Sequence, residues 1–170
     1  FHMFAAKLQK RFSHGFQLAV NFSHSRLMEK DSYLNAGSFA LEKRVSSSDR
    51  PNSLSMMTTY SMPFGRGQRY LSKTNPVVNA VLGNWMVSGI YSYASGAPLS
   101  WGNLIYYGGP LNYNSQNVDR AFDTTQFNTN SAQQLSQNLR YFPSQFNNLR
   151  VAGTNNLDLA LSKKFPIKER

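Results

Sequence analysis

A chain of 170 residues with 18 Lys and Arg against 8 Asp and Glu, no cysteine and only 15% charged residues excludes several classes at once: a disulfide framework, thiol catalysis and a thiolate metal site all need Cys, and no apolar run reaches the roughly 18 residues of a membrane-spanning helix. The net charge of +10 asks for polyanionic surroundings, yet the basic residues are scattered, the tightest groups being Lys10-Arg11, Lys43-Arg44 and Lys163-Lys164, so no polybasic run of the nucleic-acid type is present. Aromatic residues make up 14% of the chain, a share suited to a membrane interface or a sugar-binding surface.

The hydrophobic pattern has a period of two wherever a period is found, the mark of strands, whose successive side chains alternate between faces. In MFAAKLQKRF, Phe4, Ala6, Leu8 and Phe12 oppose Ala5, Lys7, Gln9 and Arg11, which predicts a strand over about 2–12. A tight turn at Ser13-His14-Gly15 follows. In FQLAVNFSHS, Phe16, Leu18, Val20 and Phe22 oppose Gln17, Ala19, Asn21 and Ser23, a strand over about 16–26. After a long loop at about 27–52, SLSMMTTYSM sets Leu54, Met56, Tyr60 and Met62 against Ser53, Ser55, Thr59 and Ser61, a strand over about 53–62. An intermediate connection at 63–83 leads to GNWMVSGIYSYASGAP, where Trp85, Val87, Tyr91 and Tyr93 oppose Ser88, Ser92 and Ala94, a strand over about 84–95. Met86 and Ile90 interrupt its polar side. The longest loop, about 96–153, is rich in Asn, Gln, Tyr, Ser and Gly; SAQQLSQNLRYF within it reads equally as a short helix or as loop. Finally, NNLDLALSKKF places Leu157, Leu159, Leu161 and Phe165 opposite Asn156, Asp158, Ala160 and Ser162, a strand over about 155–165.

Each predicted strand is about ten residues long. Soluble strands average about five or six, whereas a strand tilted across a bilayer needs about 9–11. In an up-and-down sheet the two longest connections share one edge and the two shorter ones the other, the asymmetry of outer-membrane barrels; the connection at 63–83 is long for a periplasmic turn. Phe12, Phe16, Tyr60, Phe64, Trp85 and Phe165 all fall at the short-turn edge, as an interfacial girdle requires. Alternation alone does not tell a lipid-facing surface from a protein core.

Residues suited to catalysis are sparse. His2, His14 and His24 lack metal-ligand spacing, the carboxylates are dispersed, and GRGQRY at 65–70 lacks the Lys-Ser/Thr and helix of a phosphate loop. Stacking on single-stranded nucleic acid needs rings and cations together; here the rings share a face with Leu and Val. The chain is expected to be no enzyme and to hold no metal and no cofactor.

LQKRFSHGFQLAVNFSHSR, DRPNSL, YSMPFGRG, NAVLGNWMVSGIYSYASGAPL and NLRYFPSQFNNLRVAGTNNLDLALSKKFPIKER, in this order, resemble the C-terminal barrel segments of TonB-dependent outer-membrane transporters, most closely the Oar-like branch, whose members often carry an N-terminal carboxypeptidase-regulatory-like domain. The resemblance covers nearly the whole chain and is weakest at about 102–135. It implies part of a closed barrel of roughly 22 strands with an N-terminal plug and a TonB box, the chain being expected to be an internal segment that leads from FPIKER into a further hairpin.

The expectation is therefore an all-β, antiparallel up-and-down sheet forming part of a large transmembrane barrel, working in energised uptake of a bulky nutrient, a glycan or a siderophore. Phe16, Leu18, Val20, Phe22, Trp85, Val87, Tyr91, Tyr93, Leu157, Leu159, Leu161 and Phe165 are expected to face lipid. Gln17, Asn21, Ser88, Ser92, Asn156, Asp158 and Ser162 are expected to face the lumen, with Met86 and Ile90 packing against a plug or marking a bulge. Candidate ligand contacts in the long loop are Trp101, Tyr106, Tyr107, Tyr113 and Arg120. Expected partners are outer-membrane lipids and lipopolysaccharide, the latter met at the loop edge by Arg26, Lys30, Arg50 and Arg150, with Lys10, Arg11, Arg66, Arg69, Lys163 and Lys164 at the other edge facing periplasm or inner-leaflet phosphates, and, as the resemblance implies, the protein's own plug domain and the TonB system. The alternatives are a soluble secreted β-sandwich that binds glycans and a structural or adhesive outer-membrane barrel without transport.

Overall fold

The computed structural model describes residues 1–100, 102, 104–111, 122–134, 139–140 and 142–165. In chain order the elements are β1 (His2–Ser13), β2 (Phe16–Arg26), β3 (Met28–Glu29), β4 (Arg44–Val45), β5 (Asn52–Ser61), α1 (Pro76–Leu82), β6 (Trp85–Ala94), β7 (Pro98–Ser100), β8 (Gln145–Arg150) and β9 (Thr154–Lys163), with 3-10 turns at Thr124–Gln126 and Ser131–Gln133. They fall into two compact units: Phe4–His24, Asn52–Ala94 and Thr154–Arg170 form one, and Phe1–Met3, Ser25–Pro51 and Ser95–Gly153 the other.

The first unit is a five-stranded sheet in the order β1-β2-β5-β6-β9. The pairs β2/β5, β5/β6 and β6/β9 are antiparallel. β1 and β2 meet through His14 and Gly15, both at positive φ (50° and 78°), the backbone of a two-residue type I′ turn, whose twist matches that of the strands it joins. The strands are 10 to 12 residues long. β6 keeps one unbroken register against β5 and β9 from Met86 to Ala94, so Met86 and Ile90 are placed by the pleat and not by a bulge.

The connection between β5 and β6 is folded around a helix absent from the sequence expectations. Asn75 caps α1 by accepting from Val78 N at 2.8 Å, Pro76 stands in the first turn where its missing N–H costs nothing, and Gly83 N–H closes on Asn79 O. Asn79 Oδ1 in turn accepts from Arg66 N at 2.7 Å. Gly65, at φ 122°, is required beside it, because a Cβ there would stand 2.8 Å from Asn79 Oδ1.

The second unit is built from the two long connections, which are not open loops. β3 pairs with β4 and β7 with β8, both antiparallel. Val45, Phe127, Phe142 and Leu149 are buried here, Leu149 completely. Ser131–Gln133 forms only a 3-10 turn, and Leu135 lies outside the described residues.

Candidate functional site

Strand register assembles each face of the sheet row by row. One face reads Phe16–Tyr60–Val87–Leu161, Leu18–Thr58–Gly89–Leu159, Val20–Met56–Tyr91–Leu157 and Phe22–Leu54–Tyr93–Asn155. Cross-strand neighbours of this kind are the unit of sheet stabilisation, and Phe16 and Tyr60 meet edge to face at 6.5 Å. Gly89 leaves a gap that Leu159 covers: a Cβ at Gly89 would lie 3.1 Å from Leu159 Cδ2. The opposite face reads Gln17–Thr59–Ser88–Ala160, Ala19–Met57–Ile90–Asp158, Asn21–Ser55–Ser92–Asn156 and Ser23–Ser53–Ala94–Thr154. It is small and polar except for the Ala19–Met57–Ile90 step, and Asn156 Nδ2 donates to Asp158 Oδ2 at 2.8 Å.

Among the described residues, every buried apolar side chain belongs to the second unit, none to the sheet. Leu159, at mid-strand, is 70% exposed, with Leu157 and Leu161 close to it. A leucine moved from water to an apolar medium gains about 1.5–3 kcal/mol. Rows of such side chains therefore demand an apolar medium. The span is of the right size: from Asn155 to Lys163 is eight residue steps along β9, about 26 Å of strand or about 20 Å along a membrane normal at a tilt near 40°, against an apolar band of roughly 25 Å in barrels.

The end of this face nearest the short connections carries rings and cations. Lys163 Nζ lies 4.7 Å from the centre of the Trp85 ring and 5.5 Å from that of Phe165. In the connection between β5 and β6, Arg69 lies 5.7 Å from the centre of the Tyr70 ring, which itself contacts Phe64. Amphipathic rings with cations at one level suit the headgroup zone.

In the second unit, Asp49 is 1% exposed and is held by Arg150 Nη2 at 2.7 Å and Leu27 N at 2.7 Å. Arg150 also donates to the carbonyls of Asp49, Gly96 and Asn147. Arg44 gathers Glu29 at 3.1 Å and Asp31 at 2.9 Å, while Glu42 accepts from Ser144 N and Oγ at 2.7 and 2.8 Å. A side-chain hydrogen bond from Ser46, helped by Arg44, holds the Glu29 carboxyl below its ordinary value against the opposing effect of desolvation.

The expected ligand contacts separate here. Tyr106 is a packing residue: its ring lies 5.0 Å from Phe127 and 5.1 Å from Phe142, and its hydroxyl donates to Gly109 O. Tyr107 is exposed, its backbone N–H bonded to Gln126 O. Trp101, Tyr113 and Arg120 lie outside the described residues. An open cleft of about 450 Å³ lined by Leu104, Phe122, Phe127, Asn128, Thr129 and Gln134 lies beside this cluster and was not anticipated. Arg150 was expected at a lipopolysaccharide-facing edge; its guanidinium is instead committed to Asp49, because a buried carboxylate needs a paired cation. Arg26, Lys30 and Arg50 are exposed. His24 Nδ1 lies 2.8 Å from Asn52 Oδ1, and among the described residues no group of His, Cys, Asp and Glu is placed to hold a metal.

Strands of bilayer length, one face apolar and uncovered by a core, the other small and polar, define a segment of a β-barrel that crosses a membrane by its strands. The profile of a family described as outer membrane beta barrel domain matches residues 1–170. The chain belongs to that family, and its place is the outer membrane. No curated protein and no solved structure matches it.

Proposed function

We propose that the chain is a wall segment of a TonB-dependent transporter that takes up a bulky nutrient. The observation that supports this most is the size of the side chains on the polar face. Ser53, Ser55, Ser88, Ser92, Ala19, Ala94 and Ala160 are too small to fill the interior they line. Narrow barrels plug their interior with side chains, so a wall of this kind suits a wide lumen holding water or another protein segment. In this reading the row Phe16 to Leu161 and its neighbours face lipid, Asn156, Asp158 and Ser162 line the lumen, and the Met57–Ile90 step, with Met86, rests against a plug. β1 and β9, the outermost strands of the sheet, pair with further strands, since unpaired edges in hydrocarbon cost several kcal/mol per group. The short connections face the periplasm. The folded second unit captures substrate outside, a role that needs no catalyst, and Arg26, Lys30 and Arg50 meet lipopolysaccharide phosphates.

The test is uptake by cells producing the full-length protein, using labelled oligosaccharides and ferric siderophores. Uptake that disappears on loss of TonB or on collapse of the inner-membrane proton gradient supports the reading. Passage of small solutes independent of both overturns it in favour of a porin, and absence of any passage favours the adhesive barrel. A soluble sandwich would bury Leu157, Leu159 and Leu161, which stand exposed here.

A further inference from the structure

We infer that α1 is an interfacial anchor, a short helix laid into the phosphate level of the membrane leaflet nearest the short connections. The inference rests on the barrel reading above and adds to it a device outside the strands. The first observation is the tether. Val81 O accepts from Trp85 Nε1 at 2.8 Å and from Lys163 Nζ at 2.7 Å. Trp85 and Lys163 are direct cross-strand partners on the face that carries Val87, Tyr91 and Leu161. The carboxyl end of the helix, where carbonyls lack partners and the dipole is negative, is thus bound by a cation and an indole at the rim of the apolar wall.

The second observation is the stripe. At about 100° per residue, Val77, Val78, Val81 and Leu82 share one side of α1. Val77 is 72% and Val81 61% exposed, and Leu82 is exposed as well. Asn79, on the other side, is spent on Arg66 N and Gly83 N. A helix with an apolar stripe left uncovered, beside rings at the border of a lipid-facing wall, has the geometry of an interfacial segment.

The third observation is charge. Residues 62–84 contain Arg66, Arg69 and Lys73 and no acidic residue, and Lys163 and Lys164 adjoin them. Anionic phospholipid headgroups supply the matching phosphates and, just beneath them, the acyl chains that valine side chains need. One occupant thus answers both the stripe and the charge.

The experiment uses the full-length protein in vesicles of phosphatidylethanolamine and phosphatidylglycerol, in a background free of other cysteines. V77C, V81C, A80C and L159C are labelled singly with an environment-sensitive fluorophore and quenched by iodide, by shallow lipid nitroxides or by deep ones. Labels at 77 and 81 should be quenched several-fold more by shallow nitroxide than by iodide, with A80C, which borders the stripe, showing a smaller preference. Replacing phosphatidylglycerol by phosphatidylcholine should weaken the nitroxide quenching at 77 and 81 about twofold. Iodide quenching at 77 and 81 equal to that at 80 overturns the anchor, and shielding from both quenchers overturns it in favour of a protein contact. Quenching unchanged without anionic lipid overturns the role of net negative headgroup charge. L159C reports separately on the wall: deep-nitroxide quenching there keeps the barrel reading standing when α1 fails, and its absence removes that reading and the anchor with it.

Discussion

Leu159 stands four steps along β9 from Asn155 and four from Lys163, which places it at the middle of the apolar face, about 10 Å along the membrane normal from either end. Leu159→Arg puts a guanidinium at the depth where a barrel wall tolerates charge least, with an expected cost of about 2–4 kcal/mol. Leu161→Arg sits two steps nearer Lys163 and the ring cluster, about 5 Å closer to the headgroups, and should cost roughly half as much, since the penalty falls to about 0–1 kcal/mol at the interface. Ser162→Arg, on the polar face, has water or polar groups to solvate it and should cost less than about 1 kcal/mol. The assay is urea unfolding of the full-length protein folded into lipid vesicles, with each variant compared at equal slope. The ordering 159, then 161, then 162 carries both face and depth. A protein core would penalise 159 and 161 alike, so equal costs at these two positions would refute lipid as the medium.

Four further outcomes are expected. Asp49→Ala removes the partner of a half-buried guanidinium and the acceptor of Leu27 N–H, and should cost about 3 kcal/mol in the second unit, read as faster proteolysis within 25–51 and 95–153 with strand labelling unchanged. Because the folded carboxyl of Glu29 is lowered from its ordinary value of 4.5, its contribution is present above that value and is lost as pH falls through the lower folded pKa; acid-triggered proteolysis of the β3/β4 pair should shift less with pH in Glu29→Gln. Gly89→Ala should cost under about 1 kcal/mol in the same urea assay, since the Leu159 tip it displaces can swing into lipid, whereas a closed core would charge about 1–3 kcal/mol for overpacking. Tyr106→Ala should destabilise the second unit by about 3 kcal/mol by emptying the space among Phe127, Phe142 and Phe146, and Tyr107→Ala should leave its protease resistance unchanged.

Strand alternation is a local property, and the sequence alone determined which side chains share a face of each strand in the sheet: Phe16 to Phe22 and Leu157 to Leu161 are apolar two by two because a pleat turns successive residues to opposite sides. The tight turn at His14-Gly15 was legible for the same reason. The helix α1 also had local signals, Asn75-Pro76 before it and Gly83 after it, but its seven residues are shorter than the window in which a helical period shows itself. Which rows meet across strands, and that Ile90 stands beside Met57 without a bulge, came only from the register of β5, β6 and β9, because pairing is set by hydrogen bonds between segments far apart in the chain. The second unit lay furthest from view. Asp49 and Arg150 are 101 residues apart, and Tyr106 reads as an exposed loop aromatic until Phe127 and Phe142 close around it. Burial of a charge or a ring in a connection is decided by which distant partners arrive to satisfy it, and composition holds no record of that.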